Sequence, residues 1–142
     1  MNGKKAYTLI EIVIVIIIVS ILAAATWVNY MNSFDKAADQ EAITKLNTII
    51  AADEIFHTNS GDYYTTAGTA SLGTTTGINT ALNMQLSVTA SRNWDYVIVA
   101  EGAAVPPAAV CATAVRFKNG ASTSPCWQLC SDTESPQKVA CL

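Results

Sequence analysis

Hydrophobic and polar positions divide the chain into three patterns. From Tyr7 to Tyr30 (YTLIEIVIVIIIVSILAAATWVNY) the apolar residues run on without period, and between Ile12 and Val28 only Ser20 and Thr26 are polar. At about 1.5 Å per residue, a helix over this stretch spans roughly 35 Å, enough to cross a bilayer core of about 30 Å. From Asn29 the pattern turns amphipathic without a break. Ala38, Ala42, Ile43, Leu46, Ile49, Ile50 and Phe56 recur every three or four positions, as one buried helix face requires. Asp35, Lys36, Asp39, Glu41, Lys45 and Glu54 fall mostly elsewhere. With no Pro between Thr8 and His57, a single helical rod of roughly 75 Å is predicted. Asn59-Ser60-Gly61 is its stop signal, with Gly61 able to take the left-handed cap.

The second pattern, residues 58–91, is mostly Thr, Ser, Gly, Asn and Ala, with Leu72, Ile78, Leu82 and Leu86 as scattered anchors. It reads as a long surface connection with one short helix around Ile78–Leu86. The third is β-branched and aromatic. Trp94–Ala100 and Val110–Lys118 read as strands separated by Val105-Pro106-Pro107, and Asn119-Gly120 is a strong hairpin signal. A third strand is predicted within Ala121–Cys130, with Pro125 at its edge or start. Ser131–Leu142 reads as a polar tail. The fold class is therefore α+β: a long N-terminal helix, membrane-spanning then amphipathic, packed on a small antiparallel sheet.

Composition changes this picture little. The 142 residues hold one domain plus the apolar helix, which inflates the hydrophobic fraction of 51%. A net charge of −3 offers no basic stripe of the kind a nucleic-acid binder carries. Lys4 and Lys5 flank the apolar run and place Met1 on the cytoplasmic side, with residues 31–142 beyond the membrane. All four cysteines (Cys111, Cys126, Cys130, Cys141) lie in that exported part, where two disulfides are expected. Four cysteines allow three pairings. A hairpin turning at Asn119-Gly120 brings the start of its first strand near Cys126–Cys130, which favours Cys111–Cys126, with Cys130–Cys141 tying down the tail. A zinc site at Cys126-x-x-x-Cys130 lacks a second close Cys/His pair.

Glu11 is the anomaly within the apolar run. A carboxylate at the centre of a membrane helix costs about 2.5–3.5 kcal/mol, and a position near one end lowers that penalty without removing it. Met1–Ala6 as a short basic leader, then Tyr7, Thr8-Leu9-Ile10-Glu11 and a long apolar run ending in small residues, resemble a type IV pilin precursor. Gly61-Asp62-Tyr63 after the amphipathic helix looks similar to the same family. The resemblance implies cleavage between Ala6 and Tyr7 by a prepilin peptidase, which also methylates the new amine of Tyr7. It implies that Glu11 meets the Tyr7 amine of a neighbouring copy in a helical homopolymer. The other implied partners are an inner-membrane assembly platform and its ATPase, acting on a precursor in the inner membrane that becomes a pilus at the cell surface. Ala6, Ser20 and Val28 stand where the family usually has Gly, Gly and Pro, and the last two changes predict an unbroken helix through Ser20–Val28.

The expected organisation is a leader over 1–6, a transmembrane and filament-core helix over 7–30, and an exported head over 31–142. Within the head come helix 31–59, a variable loop 60–91, and the sheet with its disulfides over 92–142. The function expected is a structural subunit of a type IV pilus. Its alternatives are a minor pilin, a type II secretion pseudopilin, or a secreted disulfide-bonded binding domain behind an ordinary signal peptide cut near Ala23-Ala24-Ala25. Glu11 inside the apolar run, and Trp27 and Tyr30 at its far boundary, speak for a retained helix.

No catalytic constellation is evident, and no cofactor or metal is predicted. His57, the only histidine, falls at a helix end, where a cation meets the last carbonyls. The glycines form no phosphate-cradling motif. Asp53 and Glu54 are adjacent and point apart, each expected in water. Trp94, Trp127, Tyr63 and Tyr64 are assigned to packing or contact between subunits.

Overall fold

A computed structural model describes residues 7–101, 109–118 and 121–141. Helix α1 runs over Leu9–Ser60 and α2 over Leu72–Ala81. Strands β1 (Trp94–Glu101), β2 (Ala109–Lys118), β3 (Ala121–Cys130) and β4 (Gln137–Val139) pair antiparallel in the order β1-β2-β3-β4. The chain divides into two compact units, Met1–Ala37 and Ala38–Leu142. The leader Met1–Ala6, the Val105-Pro106-Pro107 connection and the Asn119-Gly120 turn lie outside the described residues.

In the first unit α1 begins at Leu9 because Thr8 supplies its cap. The Glu11 amide lies 3.4 Å from Thr8 Oγ1 and 3.1 Å from the Thr8 carbonyl. Helical structure is unbroken through Ser20–Val28. Ser20 Oγ donates to the Ile16 carbonyl at 2.6 Å and Thr26 Oγ1 to the Leu22 carbonyl at 2.7 Å, so neither hydroxyl needs an outside partner.

In the second unit the apolar stripe predicted for the amphipathic helix becomes the core. Ala42, Leu46, Ile49 and Ile50 pack against Trp94, Tyr96 and Ile98 of β1, Ala112 and Ala114 of β2, and Leu129 of β3. Three polar contacts fix the helix to the sheet. Trp94 Nε1 donates to the Ala38 carbonyl at 2.9 Å, Asn93 Nδ2 donates to Glu41 Oε2 at 2.8 Å, and Lys138 Nζ lies 3.3 Å from Asp39 Oδ2. The helix stops after Ser60, where Gly61 takes φ 85° and its amide donates to the His57 carbonyl at 2.8 Å.

Three expectations need correction. The short helix forms at Leu72–Ala81 rather than Ile78–Leu86, because Ser71 and Thr74 make a reciprocal capping box that starts it earlier. Its end is set by Asn79, whose side chain accepts from the Leu86 amide at 2.8 Å and donates to the Leu86 carbonyl at 3.0 Å. The chain turns at Leu82 and Asn83, the latter at φ 51°. Pro125 lies within β3 and not at its end. It is accommodated where the β2–β3 register shifts between Val115 and Arg116, a place that needs no ladder donor. The C-terminal tail is more than a tether: Gln137–Val139 is the fourth strand, pairing with Cys126–Gln128.

The Thr-rich connection is stitched to the free edge of β1. Thr66 exchanges bonds with Ile98, its amide donating at 2.8 Å and its hydroxyl accepting at 3.0 Å. Thr75 Oγ1 accepts from the Tyr96 amide at 2.9 Å, while Thr74 Oγ1 donates to the Tyr96 carbonyl at 2.7 Å. Short hydroxyl side chains thus take the place of a fifth strand and blunt an open edge.

Candidate functional site

The residues singled out for assembly lie at the start of α1. Tyr7 and Glu11 are both exposed, four residues apart, with Thr8 capping between them. Tyr7 stands two residues ahead of the first helical residue, Leu9, and Glu11 lies in the first turn. Beyond them, from Leu9 to Leu22, every large apolar side chain is exposed, Ile21 by 65% and Leu22 by 62%. The helix is long and apolar enough to cross a membrane by length and composition. Tyr30 and Phe34 close this surface with an edge-to-face contact at 4.9 Å. A helical stretch that buries none of its large apolar side chains offers a surface for lipid or for other helices, and no enclosed chemistry. Ala6, the other residue of the expected cleavage site, lies outside the described residues.

The cysteines pair as Cys111–Cys130 and Cys126–Cys141, not as Cys111–Cys126 and Cys130–Cys141. The register explains the correction. Lys118 lies opposite Ala121, but Ser124 and Pro125 have no partners on β2, so beyond the shift Val115 faces Cys126 and Cys111 faces Cys130. Cys126 is then free to take Cys141, which follows β4 on the other side of β3. Cys126 and Cys130, the residues of a possible zinc site, are both held in disulfides with other partners. Glu101 lies near the first of these bridges, where oxidised sulfur offers no thiolate ligand.

His57 stacks on Tyr63 with ring centroids 4.1 Å apart, and Tyr64 meets Phe56 edge-on at 6.1 Å. Trp94 is buried in the core, and Trp127 is half-buried beneath Lys138, whose Nζ lies 5.1 Å from the ring. All four aromatics are therefore used in packing within the head.

Two buried polar arrangements escaped the sequence reading. Asp53 is fully buried while its neighbour Glu54 is exposed, which corrects the expectation of two solvated acids. One Asp53 oxygen accepts from the Tyr64 amide at 2.9 Å and the other has no hydrogen-bond partner. Burial pushes the carboxyl up to about 6 against the lowering effects of the Tyr64 amide and of His57. A signal was present: Asp53 stands four residues after Ile49 and three before Phe56, on the apolar stripe itself. The second is the forked pair of Arg92 and Asp95, at 2.6 Å from Nε to Oδ1 and 3.0 Å from Nη2 to Oδ2. The Asp95 hydrogen bonds hold the Arg92 guanidinium above its ordinary pKa, and the guanidinium also stacks over Phe117 at 3.9 Å.

A family model, the prokaryotic N-terminal methylation motif, matches residues 1–27. The match gives the chain the N-terminal form of a type IV prepilin leader ahead of a long apolar helix, and it supports a pilin-like prepilin without separating pilin, minor pilin and pseudopilin. The motif points to a structural subunit that a prepilin peptidase processes and that assembles into pilus-like polymers, and it fits a membrane-anchored precursor. No curated protein and no solved structure matches the chain.

Proposed function

We propose that the chain is a structural subunit of a type IV pilus, polymerising through its N-terminal helix after cleavage between Ala6 and Tyr7 and methylation of Tyr7. The observation that carries this reading is the match of the methylation motif to a helical stretch, Leu9–Leu22, whose large apolar side chains all stand exposed. Outside the bilayer such a surface costs about 25 cal/mol for every Å² left in water, so copies that leave the membrane must bury it against one another. Residues 7–30 are then the filament core and residues 31–142 the exported head. Lys4 and Lys5 leave with the leader, which takes the side-chain charge of the mature chain from −3 to −5.

Within that core the Tyr7 amine of one copy meets Glu11 of a neighbour displaced along the fibre axis, neutralising both. Mispairing would leave a buried charge without a partner, so the pair fixes register more than it adds stability. The platform protein and its ATPase supply the work of extraction. Terminal sequencing of the mature chain tests the processing step: a start at N-methylated Tyr7 is expected, and a start near Thr26 would mean signal-peptide cleavage and no filament. Electron microscopy of sheared surface fibres, with mass spectrometry of their subunits, tests the rest. Long surface fibres made chiefly of this chain are expected. A trace presence in fibres made of another subunit would make it a minor pilin, and short periplasmic fibres a pseudopilin.

A further inference from the structure

Strands β1, β2 and β3 bring one carboxylate and two sulfurs together on the sheet face turned away from α1. Val99 lies opposite Cys111, and Cys111 opposite Cys130, so these three form one row across the sheet. Glu101 follows Val99 by two residues and therefore shares its face, diagonal to Cys111. The neighbouring positions Ile98, Val110, Ala112 and Leu129 point the other way, into the core under α1. Glu101 Oε2 lies 3.7 Å from Cys111 Sγ, and the carboxylate and both sulfurs stand within 4.8 Å of one another.

That contact does nothing for the closed bridge. A disulfide sulfur has no proton to donate, so the carboxylate faces an atom that offers only lone pairs. Among the described residues no Lys or Arg pairs with Glu101. Opening the bridge changes the chemistry, because two thiolates and a carboxylate are donors that suit zinc, whereas calcium and magnesium take oxygen ligands. With Zn–S at about 2.3 Å and Zn–O at about 2.1 Å, a tetrahedral site sets a sulfur and an oxygen about 3.6 Å apart. Cys111 and Glu101 already have that spacing. The two sulfurs need to part to about 3.8 Å, which rotation of one cysteine side chain supplies with the strands in place. Cys111 is buried, Cys130 half-buried and Glu101 exposed, so an ion enters from the carboxylate side.

We propose that Glu101, Cys111 and Cys130 form a zinc site whenever the Cys111–Cys130 bridge is open. Cysteines are synthesised as thiols, so the site precedes the bridge, and a dithiol reductant restores it. In that exchange the dithiol gives two electrons and two protons to the bridge and is itself oxidised to a disulfide, leaving Cys111 and Cys130 as thiols. Zinc then displaces both thiol protons, and water takes the fourth position. The ion ties β1, β2 and β3 together where the bridge ties only β2 to β3. It also holds Cys111 beside Cys130 and away from Cys126 and Cys141, so it selects the observed pairing before oxidation fixes it. The inference concerns the head alone and stands apart from the polymer reading.

The test uses the full-length chain in detergent micelles, with zinc as the probe and a phosphine as reductant. The phosphine takes the oxygen of a water molecule and the two sulfurs take its protons. The reduced chain is expected to bind zinc one to one and to melt at a higher temperature with zinc than without it, whereas the oxidised chain should respond to neither. Cobalt in place of zinc should give a thiolate-to-metal absorption band. Cys126→Ser with Cys141→Ser removes the other two thiols and should keep the uptake, while Glu101→Gln should weaken it by about tenfold or more. If the double serine variant does not fold, alkylation of the reduced wild type serves instead: zinc should protect Cys111 and Cys130 and leave Cys141 open. Absence of uptake on reduction, equal affinity in Glu101→Gln, protection of Cys141 in place of Cys111, or loss of the fold of the reduced wild-type head each overturns the site.

Discussion

At the residue scale the position of Glu11 in the helix start and its proposed part in assembly can be separated by substitution. Thr8-Leu9-Ile10-Glu11 has the form of a capping box, and the Thr8 hydroxyl does face the Glu11 amide. Glutamine at the third helical position serves a capping box as glutamate does, but only the carboxylate neutralises an amine. Glu11→Gln should therefore keep the helix start and lose assembly nearly as fully as Glu11→Ala, with insertion and cleavage before Tyr7 intact in both. Fibre yield beside N-terminal sequencing reads this, and normal yield from Glu11→Ala would remove the carboxylate from the mechanism. Asp53 makes a second residue-scale prediction. Its folded value of about 6 lies above its ordinary value of 3.8, so between those pH values the folded state holds more protons than the unfolded one. The group's contribution to stability is full below the lower value and is lost as pH rises through the upper. The slope is at most about 1.4 kcal/mol per pH unit. Melting curves at pH 4.5 and 7.5 should show wild type losing more than Asp53→Asn on going to the higher pH; equal losses would show that the carboxyl does not titrate in this window.

At the scale of elements, the β2–β3 hairpin decides the chemistry of the cysteines. The two unpaired residues Ser124 and Pro125 move the register by two places, and that shift sets Cys111 opposite Cys130. Peptide mapping without reduction should recover Cys111–Cys130 and Cys126–Cys141. Cys126–Cys130 or Cys111–Cys126 peptides would contradict the register. Each bridge closes a short loop, with sequence separations of 19 and 15, and a loop of this length is worth about 3 kcal/mol. Cys141→Ser with Cys126→Ser should lower the stability of the head by about 2–4 kcal/mol in denaturant titration. It should also raise hydrogen exchange at Gln137–Val139, since three paired residues hold little by themselves.

On the scale of the whole molecule, the two compact units obey different solvents. Ala38–Leu142 buries its own core and carries both disulfides, whereas the described side chains of Met1–Ala37 are all exposed. Forces between subunits in the first region should be apolar. Nonionic detergent micelles are therefore expected to release subunits from the fibre while the head's melting transition stays in place. Salt at 1 M, which shortens the screening length to about 3 Å, should leave the fibre intact if the proposed pair of the Tyr7 amine with Glu11 is buried in its core. Light scattering and calorimetry on the same fibres follow both effects, and dissolution by salt without detergent would point to a polymer held by surface charge.

Local pattern by itself determined α1, its apolar half, its stop at Gly61, and strands β1 to β3. Each of these is written as a periodicity or a cap within a few neighbouring residues. The leader and Glu11 were legible for the same reason, since a charge in an apolar run stands out against its immediate surroundings. Tertiary structure alone decided the cysteine partners, the fourth strand and the burial of Asp53. Register across β2 and β3 depends on how a bulge is accommodated between two strands, and hairpin length does not contain that information. The Thr side chains that seal β1 act through positions more than twenty residues away in the chain. Asp53 is buried because the chain after Gly61 folds back to place the Tyr64 amide against it. Such contacts exist only once separate segments have been brought together, which is why period and composition could not announce them.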